Sequence, residues 1–129
     1  MKLVALGDSV IKGVILNLEE GRSRYSLADK SIVDRCAECL GVEGVNLGKM
    51  GCTIEAGERI LDRFTDRVTG ARFVLLECGG NDSDYDWKAI AEAPSDKHLA
   101  RTPIEVFESV YERVVNKVKE LGAIPLVLS

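Results

Sequence analysis

Four short aliphatic runs separated by helical stripes constrain this chain more than any other feature. The runs are Lys2–Leu6, Glu43–Leu47, Phe73–Cys78 and Ile124–Ser129, each bounded by glycine or polar residues. Their length and flanks predict buried strands. Between them, a helix is expected over Ser26–Leu40, with Ser26 as N-cap and Ile32, Val33, Cys36, Ala37 and Leu40 on one stripe. A second stripe runs over Ile54–Val68 through Ile60, Leu61, Phe64 and Val68. A third begins at Pro103, with Thr102 as N-cap and Phe107, Val110, Val114 and Val118 on its core face. Residues 10–25 read as a polar loop and residues 83–102 as an irregular polar-aromatic stretch. The order β-α-β-α-β-α-β, with strands apolar on both faces, predicts a three-layer α/β/α fold around a doubly wound parallel sheet.

At 129 residues the chain is one domain, 1–129, with 46% hydrophobic and 29% charged residues, the balance of an ordinary globular protein. A net charge of -4 argues against nucleic acid as a partner. No apolar run approaches the ~20 residues that span a bilayer. The start, Met1-Lys2-Leu3-Val4-Ala5-Leu6-Gly7-Asp8, lacks the long apolar region of a signal peptide, so a cytoplasmic location is expected. Cys36 and Cys39 form a C-x-x-C, but inside a helical pattern, with no second pair and no nearby histidine to complete a metal site. They read as small apolar helix residues, and Cys52 likewise as structural. The chain stops on a predicted strand, which in such a fold is normally followed by a covering helix. It is therefore expected to be a piece of a longer protein.

Three polar, glycine-containing turns follow three of the strands: Gly7-Asp8-Ser9, Asn46-Leu47-Gly48-Lys49-Met50-Gly51 and Gly79-Gly80-Asn81-Asp82. Ligands of an open parallel sheet bind outside the carboxyl ends of its strands. Taken singly, each turn could be a local cap or loop initiator. Together they bring a hydroxyl, a backbone amide and a neutral amide side chain to one edge. Those are the parts needed to attack a carbonyl and stabilise the oxyanion that forms.

These motifs resemble those of the SGNH hydrolases, the GDSL lipase and esterase family. Gly7-Asp8-Ser9 matches the first block of that family, Asn46-x-Gly48-x-x-Gly51 the second and Gly79-Gly80-Asn81-Asp82 the third, in order and over the whole chain. The resemblance implies the SGNH (flavodoxin-like) fold and a serine ester hydrolase with no metal or organic cofactor, acting on a small-molecule ester. Ser9 would be the nucleophile. The backbone N–H groups of Ser9 and Gly51 and the side-chain amide of Asn81 would bind the oxyanion. Asp8 and Asp82 would stabilise their turns rather than react. No Gly-x-Ser-x-Gly elbow surrounds any serine, which sets the chain apart from the α/β-hydrolases.

The fifth block of the family, Asp-x-x-His, is absent. The single histidine, His98, lies in the loop before Pro103 with Asp96 two residues ahead of it. It reads as a surface or pocket-rim residue, so the histidine and aspartate that activate Ser9 are expected beyond Ser129. Asp84-Tyr85-Asp86-Trp87 follows the third block and should border the pocket, with Trp87 either contacting an acyl or sugar group or packing over the sheet. Without a long apolar loop, a small acyl or acetyl ester fits better than a long-chain lipid. Two alternatives remain: a non-catalytic binding module on the same strand ends, and a fragment that pairs with the complementary C-terminal part of the same protein. Against the first, no phosphate-binding glycine motif follows any strand.

Overall fold

Two adjacent central strands, one buried almost throughout and one buried at every second residue, show how the sheet is built. In the computed structural model, which describes residues 1–19 and 21–128, Lys2–Gly7 (β1) and Phe73–Glu77 (β5) pair in parallel, with Gly7 beside Glu77. Glu43–Asn46 (β4) pairs with the other edge of β1, and Ile124–Val127 (β6) with the other edge of β5. The order is β4-β1-β5-β6, all parallel. Glu20, within the expected 10–25 loop, and Ser129, the last residue of the expected fourth strand, lie outside the described residues.

Because side chains alternate along a strand, β1 and β5 send Val4, Leu6, Val74 and Leu76 to one face and Leu3, Ala5, Phe73 and Leu75 to the other. The first face packs against Ile54–Arg63 (α3), Thr65–Val68 (α4) and Ile104–Glu120 (α6), with Leu61, Val68, Val110, Val114 and Val118 in the same core. The second meets Ser9–Lys12 (α1) and Ile32–Leu40 (α2) through Ile11 and Val33. Helices on both faces of a parallel sheet give the three-layer α/β/α architecture expected. No helix among the described residues is long and apolar enough to cross a membrane.

Several boundaries differ from expectation, each for a physical reason. Residues 10–25 are not a loop: α1 is followed by an antiparallel hairpin of Val14–Glu19 (β2) and Arg22–Leu27 (β3), separate from the main sheet. Ser26 is therefore in a strand, where its hydroxyl accepts from Asn17 Nδ2 at 2.6 Å. The helix N-cap is instead Ser31, in a reciprocal capping box with Asp34. The Ser31 hydroxyl, donating at 2.7 Å, and the Ser31 backbone N–H, donating at 2.8 Å, hold the Asp34 carboxyl below the usual carboxylate range. The stripe over 54–68 is broken at Phe64, which leaves the helical backbone region (φ -115°, ψ 30°) between α3 and α4. Thr102 does not cap α6, because its hydroxyl is taken by Asp82 at 2.7 Å. The irregular stretch contains one short helix, Trp87–Glu92 (α5), capped by Asp86.

Candidate active site

The three polar turns meet at the carboxyl ends of β1, β4 and β5. β1 and β5 are neighbours, yet their chain connections run to opposite sides of the sheet, so the crevice between their ends is the topological switch point. Gly7 sits there in close quarters. A Cβ at this position would lie 2.5 Å from Glu77 O, 2.7 Å from the Glu77 carboxylate and 2.7 Å from Ile11. Only glycine lets β1 end against β5 this tightly.

Asp8 then turns the chain into α1. Its Oδ1 accepts the Val10 N–H at 2.8 Å, capping the helix whose first residue is Ser9. Its backbone N–H donates to the Glu77 carboxylate at 3.2 Å. Ser9 is half-buried at the helix start. The second turn docks by its backbone: Leu47 N donates to Ala5 O at 2.8 Å and Lys49 N to Gly7 O at 3.0 Å. Gly48 has no room for a side chain, since a Cβ would stand 2.5 Å from Lys12 N. Asn46 locks this turn to α1, donating from Nδ2 to Ile11 O at 2.7 Å and accepting the Gly48 N–H at 2.8 Å. Gly51 is the opposite case, with φ +70° and open space where a Cβ would be.

Asn81 ties the turns together. Its Nδ2 donates to Asp8 Oδ2 at 3.1 Å and to Cys52 O at 3.2 Å. One side chain of the third turn thus reaches the residue before Ser9 and the residue after Gly51. Asp82 is 2% exposed and satisfied on every side. Its carboxylate accepts the Ile54 N–H with both oxygens at 3.0 Å and the Thr102 hydroxyl at 2.7 Å, anchoring the third turn to the start of α3 and to the segment before α6.

Two groups near the turns carried no clear sequence signal. Burial pushes the Glu77 carboxyl above the usual range, and the neighbouring Asp8 carboxylate adds to the shift. An acid ending an apolar strand opposite a glycine was the one available clue. The Cys52 thiol donates to Thr53 O at 3.4 Å; the neighbouring Cys78 thiol pulls Cys52 down, while Cys52 and burial push Cys78 up. Cys52 is 1% exposed. Both thiols are free.

Of the remaining expected residues, His98 and Trp87 make their bonds within their own segment, while Tyr85 reaches the third turn. His98 holds its own loop, its Nε2 2.7 Å from Ala93 O. Among the described residues no imidazole is bonded to the Ser9 hydroxyl. Trp87 does not pack over the sheet: it is 66% exposed, its Nε1–H donating to Asp84 at 2.9 Å. Tyr85 lies against it, ring centroids 5.9 Å apart. Tyr85 also lines a largely apolar cavity of about 410 Å³ together with Gly79, Asp82, Thr102 and Phe107, which adjoins the third turn.

A family model, GDSL-like Lipase/Acylhydrolase, matches residues 3–129. The chain belongs to the GDSL-like lipase/acylhydrolase family. Three solved structures share its fold. One is described as a lipolytic protein of the G-D-S-L family from Desulfitobacterium hafniense DCB-2, with a TM-score of 0.64 and 22% identity. The others are the acetyl xylan esterase AlAXEase, at 0.64 and 19%, and the psychrotrophic esterase EstA from Pseudoalteromonas sp., inhibited by monoethylphosphonate, at 0.63 and 17%. Each match covers 98% of this GDSL-family chain and 57% of the other, so the chain spans little more than half the length of those structures. No curated protein matches the chain.

Proposed function

We propose that this GDSL-family chain carries the nucleophile and oxyanion site of a cytoplasmic serine ester hydrolase. Ser9 Oγ attacks the ester carbonyl as its proton passes to a base. The C=O electron pair moves to oxygen, and that oxyanion is met by the Ser9 and Gly51 N–H groups and by the Asn81 amide, one of whose two N–H groups turns to it from its bond to Asp8 or Cys52 O. Collapse of the intermediate expels the alcohol, protonated by the same base, and water then hydrolyses the acyl-serine. In this reading the base is a histidine paired with an aspartate, supplied by polypeptide beyond Ser129. The substrate is a small acyl or acetyl ester, and no metal or organic cofactor takes part.

The observation that carries the proposal is the double reach of Asn81, to Asp8 at 3.1 Å and to Cys52 O at 3.2 Å. It brings a neutral donor between the residues flanking Ser9 and Gly51. The conformation of Gly51 supports it too, since a left-handed glycine in open space presents its backbone without a side chain in the way. The esterase descriptions of the structural relatives point the same way.

The full-length protein should hydrolyse p-nitrophenyl acetate, and a fluorophosphonate should add one phosphonyl group to Ser9, read by peptide mass spectrometry. Ser9→Ala should lose both the label and roughly 10³-fold or more in kcat. Asn81→Ala should retain the label site and lose about 10²–10³ in kcat. Labelling of another serine, or unchanged turnover in Ser9→Ala, would overturn the proposal.

A further inference from the structure

Beside the second turn the surface reverses the charge of the molecule. The chain carries a net charge of -4, yet a groove of about 550 Å³ is lined by Lys12, Lys49, Arg59, Arg63 and Arg67. All five are exposed. Leu47, Ile60 and Phe64 supply its apolar lining, and the Arg63 and Arg67 guanidiniums stand 5.4 and 5.8 Å from the centre of the Phe64 ring. No carboxylate among the described residues lines the groove.

The way α3 sorts its charges explains why these cations are left without partners. Glu58 and Asp62, one helical turn apart, face α6. Glu58 accepts from Arg113 Nε at 2.7 Å and from its second nitrogen at 2.9 Å, and Asp62 pairs with Lys117. Glu55 adds its field to that same Arg113. Arg59 and Arg63, each the next residue along, project into the groove instead. Among the described residues, none of the five groove cations takes part in an ion pair. Clustered like charges repel one another, and Glu58 and Asp62, the acids next to Arg59 and Arg63 in the chain, are paired with α6 instead.

We infer that this groove is a binding site for a small oligoanion, a soluble molecule bearing two or more phosphoryl or carboxylate groups. A single charge would leave most of the cluster unneutralised. Guanidinium forks one turn apart, about 6 Å along the axis, match successive groups of a short polyanion and bind each in bidentate fashion. Lys12 closes α1, which begins at Ser9, and Lys49 lies in the turn leading to Gly51. An oligoanion held there would therefore border the three turns. The inference rests on the charge arrangement alone and stands whether or not Ser9 is a nucleophile.

Titration of the full-length protein with inorganic tripolyphosphate, followed calorimetrically at about 0.1 M salt where surface charges still act over ~10 Å, should show saturable one-to-one binding. An Arg59→Gln/Arg63→Gln double variant should weaken it by about a hundredfold or more (roughly one decade for each arginine removed). Arg113→Gln, on the α6 side, should leave it unchanged. If the arginine double variant fails to fold by circular dichroism, Lys12→Gln/Lys49→Gln gives the same test from the other end of the groove. No saturable heat, or equal weakening by Arg113→Gln, would overturn the inference. So would sedimentation with phosphatidylglycerol vesicles without tripolyphosphate binding, which would assign the cations to a lipid surface.

Discussion

The two faces of the sheet are drawn from the same strands and carry similarly apolar residues, yet they are covered very differently. On the face beneath α3 and α6, Val4, Leu6, Val74 and Leu76 are at most 1% exposed. On the other, α1 and α2 leave an entirely apolar cavity of about 270 Å³ lined by Leu3, Phe73, Leu75, Leu126 and Leu128 among others. On the same two central strands Phe73 and Leu75 are only half-buried, whereas edge strand β6 is open on both faces, with Leu126 on this one 40% and Val127 on the other 57% exposed. The second face also carries an acid: Glu77 follows Phe73 and Leu75 on it, under the tight turn at Gly7. Strand periodicity thus sets which residues share a face, while helix placement sets how much each burial stabilises the fold.

That contrast can be broken by substitution. Leu61→Ala, in the packed face, should cost about 2–5 kcal/mol by urea unfolding, because its site is fully enclosed and relaxes little. Asp82→Ala should cost about 2–3 kcal/mol, from a buried Ile54 N–H and a Thr102 hydroxyl left without acceptors. Ser31→Ala should remove the cap of α2, on the looser side, at about 1 kcal/mol. Leu126→Ser should stay within about 0.5 kcal/mol. Were it to rival Leu61→Ala, the two faces would be equally closed and the comparison would fail.

Glu77 offers the finest test. With its carboxyl raised by burial, the folded state holds the proton more tightly than the unfolded chain does. The stability this contributes is greatest in acid and falls as pH climbs through the raised value. Glu77→Gln cannot ionise. Its melting temperature should match the unmodified protein in acid and exceed it increasingly towards neutral pH. A constant gap across that range would mean that the side chain stays protonated or stays solvated throughout.

The first three strands were legible because each aliphatic run has buried residues, the fourth from its composition and flanks alone, since β6 is largely exposed, and α3 and α6 because their stripes meet the core. The β2–β3 hairpin was not. Leu16, Leu18 and Tyr25 are 51%, 77% and 65% exposed, so the segment is extended without a hydrophobic face to announce it. Ser26 and Ser31 offer the same hydroxyl. What separates them is that Asp34 stands three residues after Ser31, where its carboxylate can answer the cap. Thr102 misled for a tertiary reason, since its partner Asp82 is distant in sequence. Within the candidate site, the turns and their polar residues were readable as motifs. The closeness demanded at Gly7 and Gly48, and the burial of Glu77, depend on neighbouring strands and could not be.

The Asp82 anchor has a consequence for how such a protein can diversify. Thr102 N–H donates to Asp82 O at 3.0 Å and Arg101 N–H to Asp84 O at 2.7 Å, so the excursion carrying Tyr85, Trp87 and His98 is cinched at its neck. Residues can be gained, lost or exchanged out along that excursion while the strain of the change stops at the knot. Novelty in what the molecule recognises can accumulate there without disturbing the position of Asn81.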